Sequence, residues 1–304
     1  MRETYYLMKR NMLIYIRDYV SVFFSMLSML IVLALMVIFL GNMNSENVVD
    51  ALAALGGVRD TAADEKNASY LIQMWTLAGI LEVNAVTITL TVIGTMVQDE
   101  AKNRLASFYM APVRRVKIVL GYIFSAWIVG TGMCALTLIL GEIYMALCGH
   151  PLLGAMEWLK LFGMIALNTL TYASLSYLLA LFIHGESAWS SIMTIVGTLV
   201  GFLGAIYLPV SMLPDSVTKV LKCLPVLHGA AMMRTVCTDN AITKTFEGLP
   251  ETAANMFREQ MGVSVFVKNK EISLQFQLLF MVIYMIAALI VSVWISRGRK
   301  LKDR

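Results

Sequence analysis

The chain has 304 residues, 59% of them hydrophobic and 14% charged, where an ordinary soluble domain carries about 25% charged residues. That composition excludes a soluble globule. A net charge of +4, with its basic residues gathered at the termini and in one central loop, gives no support to nucleic-acid binding.

In chain order, the first feature is an amphipathic segment over 1–18. Tyr5, Met8, Met12, Tyr15, Ile16 and Tyr19 recur at helical spacing, with Arg2, Glu3, Lys9, Arg10, Arg17 and Asp18 on the other side. Such a helix lies in the membrane interface, its aromatics at headgroup depth and its cations toward anionic lipid. Two readings stand for Tyr5, Met8, Arg10 and Met12: a simple anchor, or a contact with a cytoplasmic partner.

Hydrocarbon about 30 Å thick requires roughly 20 apolar residues in helical form, because only a helix satisfies its own backbone without water. Six stretches meet the requirement: 19–40, 70–97, 118–147, 161–183, 188–211 and 272–295. None contains Lys or Arg, and Glu82 and Glu142 are their acidic residues. The first run lacks a small-residue cleavage site, so it reads as a retained span. The expected fold is an all-α polytopic membrane protein with six transmembrane helices in one domain, 1–304.

Orientation follows from the basic residues of the short connections, which stay in the cytoplasm. Arg2, Lys9, Arg10 and Arg17 precede the first span; Lys102, Arg104, Arg114, Arg115 and Lys117 follow the second; Arg297, Arg299, Lys300, Lys302 and Arg304 form the tail. The other short loops are poor in bases. Both termini are therefore expected in the cytoplasm, and 212–271 outside, being long enough to cross regardless of charge.

The loop 98–117 is longer than a hairpin between spans needs. Its first half suits a short amphipathic helix, with Asp99 and Glu100 at the positive end of the helix dipole and Glu100 one turn from Arg104. Leu105, Phe108 and Tyr109 form an apolar knob, Pro112 stops the helix, and the following bases hold the next span to headgroups. An exposed apolar knob asks for a groove on another protein.

This loop resembles the coupling helix of the membrane (permease) subunit of type-2 ABC exporters. The family has an acidic residue, then typically Gly-Thr-Leu, then a small-Pro-Val-basic turn. Here Glu100, Leu105, Ala111-Pro112-Val113 and Arg114-Arg115 match, while Asn103-Arg104 stands where Gly-Thr is usual. A second similarity is the proline-rich stretch Leu208-Pro209-Val210-Ser211-Met212-Leu213-Pro214, followed by Cys223-Leu224-Pro225 and Arg234. Proline breaks and an amphipathic 217–224 stretch fit short re-entrant or surface helices on the outer side.

The resemblance implies a bacterial inner-membrane permease that pairs with two cytoplasmic ABC ATPase subunits and with a second permease copy or paralogue. Asp99, Glu100, Arg104, Leu105, Phe108, Tyr109 and Pro112 would couple it to the ATPase. The cargo would move outward, as a drug, an antimicrobial peptide, a lipid-like molecule or sodium, so that the chain would serve efflux or resistance. No Gly-x-x-x-x-Gly-Lys-Ser/Thr loop occurs, so ATP and Mg belong on the partner and this chain is expected to bind no cofactor and catalyse nothing itself. Two other classes remain: an ion-gradient-driven secondary transporter using Glu82 and Glu142, and a non-transporting membrane sensor subunit.

Within the spans, Glu82, Asn84 and Thr87 are candidate pathway residues. A carboxylate at bilayer depth costs a few kcal/mol facing lipid, so Glu82 faces either a cavity or a partner helix. Asn168, Thr169, Thr171, Tyr172 and Ser174 read as packing glue, and His184 and Glu186 as the turn between spans four and five. The 22 methionines suit adaptable apolar surfaces. Cys134, Cys148, Cys223 and Cys237 lack metal or redox spacing, and spacing alone leaves a Cys223–Cys237 bridge open.

Overall fold

The computed structural model describes residues 2–35, 46, 48–50, 52, 60–206, 209–267 and 270–298. The end of the expected first span (36–40), most of the loop after it, Leu208, and tail residues Arg299, Lys300, Lys302 and Arg304 lie outside these.

Two helices open the chain, α1 (Arg2–Arg17) and α2 (Tyr19–Leu35). Asp18 divides them: its carboxylate accepts from the Ser21 amide at 3.1 Å and the Ser21 hydroxyl at 2.6 Å, which caps the first turn of α2. The long helix α3 (Thr61–Ala101) follows, capped by the Asp60 side chain. After it come the short α4 (Arg104–Met110) and three long helices: α5 (Arg115–Leu147), α6 (Ala155–Ala180) and α7 (Glu186–Leu203). A 3₁₀ turn at Val210–Met212 leads to α8 (Asp215–Leu221), α9 (Pro225–Thr245) and α10 (Glu251–Gln260). An antiparallel pair, β1 (Phe266–Val267) and β2 (Lys270–Glu271), sets Phe266 opposite Glu271 before α11 (Leu274–Gly298) closes the chain.

Among the described residues, five helices are long and apolar enough to cross a membrane: α3, α5, α6, α7 and α11. Apart from the small hairpin, the protein is an all-α, polytopic membrane protein. The expected first crossing, 19–40, is described only as far as Leu35.

Helix α3 is the centre of the molecule, packed against α5, α6, α7 and α9. Its 41 residues extend about 60 Å at 1.5 Å per residue, roughly twice the hydrocarbon thickness. Small residues let its neighbours approach closely. Gly130 of α5 faces Thr89 of α3 and Thr169 of α6, Gly94 lies beneath the Trp189 indole, and Gly141 sits under Leu77. Polar side chains turn inward: Thr89, Ser125, Thr137, Asn168 and Thr169 are fully buried. Apolar ones turn outward, as in the α11 stripe of Phe276, Leu279, Ile283, Ile286, Ile290 and Trp294, whose helical spacing forms one exposed apolar face.

The sequence reading of 212–271 needs correction. The short helices there are α8 and α10, but between them α9 has 21 residues and is largely buried. Pro225 opens α9 at its first turn, where a missing N–H costs nothing. The helix then runs antiparallel to α3, with Gly229 against Glu82, Arg234 against Trp75, and the Thr245 hydroxyl bonded to the Asn67 carbonyl at 3.3 Å. From Ala68 to Glu82 this half of α3 is thus covered by protein. All four cysteines are free; Cys223 is exposed and Cys237 buried.

Candidate functional site

At one end of the bundle Arg10 of α1 and Tyr122 of α5 meet the end of α3. Helix α3 runs through Asp99 and Glu100 to Ala101, so both acids sit at its negative C-terminal end, not at the start of a separate helix as the loop pattern implied. Their charges are met by partners from elsewhere. Arg10 of α1 donates two hydrogen bonds to Asp99, 2.7 Å each, and the Tyr122 hydroxyl of α5 donates a third at 2.6 Å. This two-pronged pairing pushes the Arg10 pKa further up. Glu100 lies 2.7 Å from His184, and Lys102 lies 3.4 Å from Glu186, so the α6–α7 turn is tied to the same end. Glu100 therefore pairs across helices, not with Arg104 along one.

Between α3 and α4 the chain turns at Asn103, which adopts the left-handed conformation at φ 54°. The short amide side chain of Asn tolerates it where most residues do not. Helix α4 ends before Ala111-Pro112, as proline requires. Its apolar residues differ from the expected protruding knob. Leu105 is buried at 4% exposure, while Phe108 and Tyr109 are half-buried beneath two arginines. The Arg10 guanidinium carbon lies 5.2 Å from the Phe108 ring centre, and that of Arg115 lies 4.9 Å from Tyr109. Met110, which the sequence pattern passed over, is the exposed apolar residue, at 79%. Arg104, Ser107 and Pro112 are also exposed.

Arg115 donates to the Ser296 carbonyl at 2.8 Å and the Arg297 carbonyl at 3.3 Å, capping the end of α11. Lys117 pairs with Glu3 at 3.1 Å, and the Glu3 carboxyl is held down to about 2 by a backbone hydrogen bond first and Lys117 second. Helix α1 is therefore fastened to the bundle. Its Leu7 fills the space over Gly121, its Asn11 and Tyr15 are buried, Met8 and Met12 are half-buried, and Tyr5 is exposed. Arg10, expected on the headgroup side, points inward; the reason is the buried Asp99 carboxylate opposite it.

A second cluster lies midway along α3. Glu82 is fully buried; it accepts from Asn168 Nδ2 at 3.0 Å and from the Tyr172 hydroxyl, both on α6. Asn84 donates to the Thr137 hydroxyl of α5 at 3.0 Å. Gly229 brings the α9 backbone against this carboxylate, because a Cβ there would collide with Glu82 and Tyr172. Farther along, the fully buried Arg234 of α9 lies 4.5 Å over the Trp75 ring and donates to Ala205 (2.8 Å), Gly262 (3.3 Å) and Met261 (3.4 Å) carbonyls. Ala205, at φ 50°, terminates α7 with the Ile206 amide bonded back to Gly201 at 2.8 Å. Arg234 thus joins α9 to the end of α7 and to the segment after α10. No sequence pattern assigned it that work; a lone arginine within a long weakly polar stretch was the available signal.

Thr87 lies elsewhere. Together with Leu90 and Thr91 of α3 and Ser190, Met193 and Thr194 of α7 it lines a cavity of about 250 Å³ open to the surface. Of the three pathway candidates, then, Glu82 and Asn84 are sealed between helices and Thr87 borders open space. Glu142, near the far end, accepts from the Leu153 amide at 3.1 Å.

The sequence profile described as ABC-2 family transporter protein matches residues 56–297, which takes in α3 to α10 and all but the last residue of α11. No curated protein matches the chain.

Proposed function

The chain belongs to the ABC-2 transporter family, and from that premise we propose that it is the permease half of an ATP-driven exporter, energised through α4 by a separate ATPase. The observation that carries the reading is the extent of the match, which covers the membrane helices and the α3–α4 corner together. Family members work with an ATPase subunit, and nothing in this sequence resembles a phosphate-cradling loop. The basic end is the cytoplasmic end, by the bias of Lys and Arg in short connections, so both termini lie on the cytoplasmic side of the bacterial inner membrane. The complex holds two ATPase copies and a second permease, identical or paralogous.

In this reading α4 is the docking element and Met110, Arg104 and Ser107 are its outward face. ATP binding changes the contacts that the ATPase makes with this face, and that difference is the free energy available to shift the helices. The cavity between α3 and α7 borders the route of a drug, peptide or lipid-like cargo; its hydroxyls and methionine suit an amphiphile. Glu82, sealed by Asn168 and Tyr172, is a joint between α3 and α6, not a carrier of protons or cargo.

The test is association. Tagged chain, expressed from its native locus and purified in mild detergent, should retain an ATPase. Met110→Asp combined with Arg104→Glu should reduce that retention at least tenfold without reducing the amount of membrane-inserted chain. Undiminished retention would remove α4 from the docking role.

A further inference from the structure

The corner between α3 and α4 poses a mechanical problem. A displacement applied to α4 reaches the long helix through Lys102 and Asn103, and Asn103 sits in the left-handed region where the helical hydrogen-bond ladder is broken. Leu105 seats the first turn of α4 in the core, but no continuous backbone ladder carries motion of the rest of this seven-residue helix across the joint. One side chain touches both sides of the joint. Arg10 holds Asp99, on the α3 side, with two 2.7 Å bonds, and lies 5.2 Å over the Phe108 ring, on the α4 side. Asp99 is 3% exposed at its side chain and is further fixed by Tyr122, so the anchor on the α3 side is rigid. The planar guanidinium suits this dual use, because its edge forms the bidentate pair while its face covers a ring; a lysine could do neither in the same way.

We propose that Arg10 is a positioning residue that bridges the Asn103 joint, so that movement of α4 is delivered to α3 as a unit with α1. The proposal rests on the docking role given to α4 above. It assigns a transmission role to α1, a segment outside the matched residues 56–297.

The experiment reads the two sides of the joint separately. In a Cys148→Ser, Cys223→Ser background, one pair of spin labels at Met110→Cys and Trp294→Cys reports α4 against α11. A second pair at Glu65→Cys and Phe276→Cys reports the far end of α3 against α11. Distances are measured in spin-diluted permease–ATPase complex in nanodiscs, without nucleotide and after trapping with ATP and vanadate. In the unmodified background both pairs should shift on trapping. With Arg10→Gln, and with Phe108→Leu, which loosens the bridge without leaving a buried charge, the α4 pair should still shift and the α3 pair should lose at least half its shift. Full shifts of both pairs in these variants would overturn the bridge. Loss of both shifts with the ATPase still bound would also overturn it, since Arg10 would then shape α4 itself. Absence of any α4 shift in the unmodified background would instead refute the docking role on which the proposal rests.

Discussion

Gly229 and Gly121 occupy places where one methyl group has nowhere to go. A Cβ at Gly229 would strike the Glu82 carboxylate and the Tyr172 hydroxyl, and one at Gly121 would meet Leu7 at 2.8 Å. Gly132, on the same helix as Gly121, faces open space. Overpacking a close contact costs about 1–3 kcal/mol, whereas alanine in an open helical position gains up to about 1 kcal/mol over glycine. Gly229→Ala and Gly121→Ala should therefore lower the Tm of the purified chain, and Gly132→Ala should leave it unchanged or raise it. Differential scanning fluorimetry in detergent checks this, and equal Tm values for all three would contradict the packing described. At this scale the sequence revealed little. Glu82 stood out because a carboxylate in an apolar run demands explanation, but its partners Asn168 and Tyr172 lie some 90 residues away and only the fold brings them together. Arg10 looked like an ordinary interfacial cation for the same reason: Asp99 is 89 residues distant.

Among elements, the α3–α4 corner turns on the backbone of Asn103. A β-branched residue at positive φ is strained by about 1–2 kcal/mol, which corresponds to roughly a tenfold change in local opening. Asn103→Val should thus accelerate tryptic cleavage after the exposed Lys102 and Arg104 about tenfold, while Asn103→Gly, free of that strain, should stay near the parent rate. Equal cleavage rates in the two variants would mean that the corner is not held in this conformation. The positions of α3, α5, α6, α7 and α11 were legible because runs of about 20 apolar residues have no other use. Their extents were less so: α3 extends well beyond the expected 70–97, since its polar first turns carry no membrane signal. Short helices were expected where α9 lies, but its 21-residue length and its burial were not. His228, Arg234, Asp239 and Lys244 interrupt its hydrophobicity, and its burial is achieved against α3 and α6, not lipid. The separate break between α3 and α4 was also hidden, because Asp99 and Glu100 suit a helix start as well as the end of a longer helix that borrows Arg10 and His184 as countercharges.

For the whole molecule, the account joins three parts along one axis: a basic end where α1, α4 and the end of α3 are bound together, a middle where Glu82 ties α3 to α6, and a far end where α9 packs along the first half of α3. Family membership fixes the class of machine, and the residue contacts say where force could enter it. The claim that everything else depends on is that α4 lies on the ATPase side of the membrane. Impermeant maleimide labelling of intact cells tests it most directly, using one exposed cysteine at a time, Met110→Cys on α4 or Lys66→Cys on the far end of α3, in a Cys148→Ser, Cys223→Ser background that keeps only the buried Cys134 and Cys237. The account predicts that Lys66→Cys labels in intact cells and Met110→Cys only after permeabilisation; labelling of Met110→Cys from outside intact cells would contradict it.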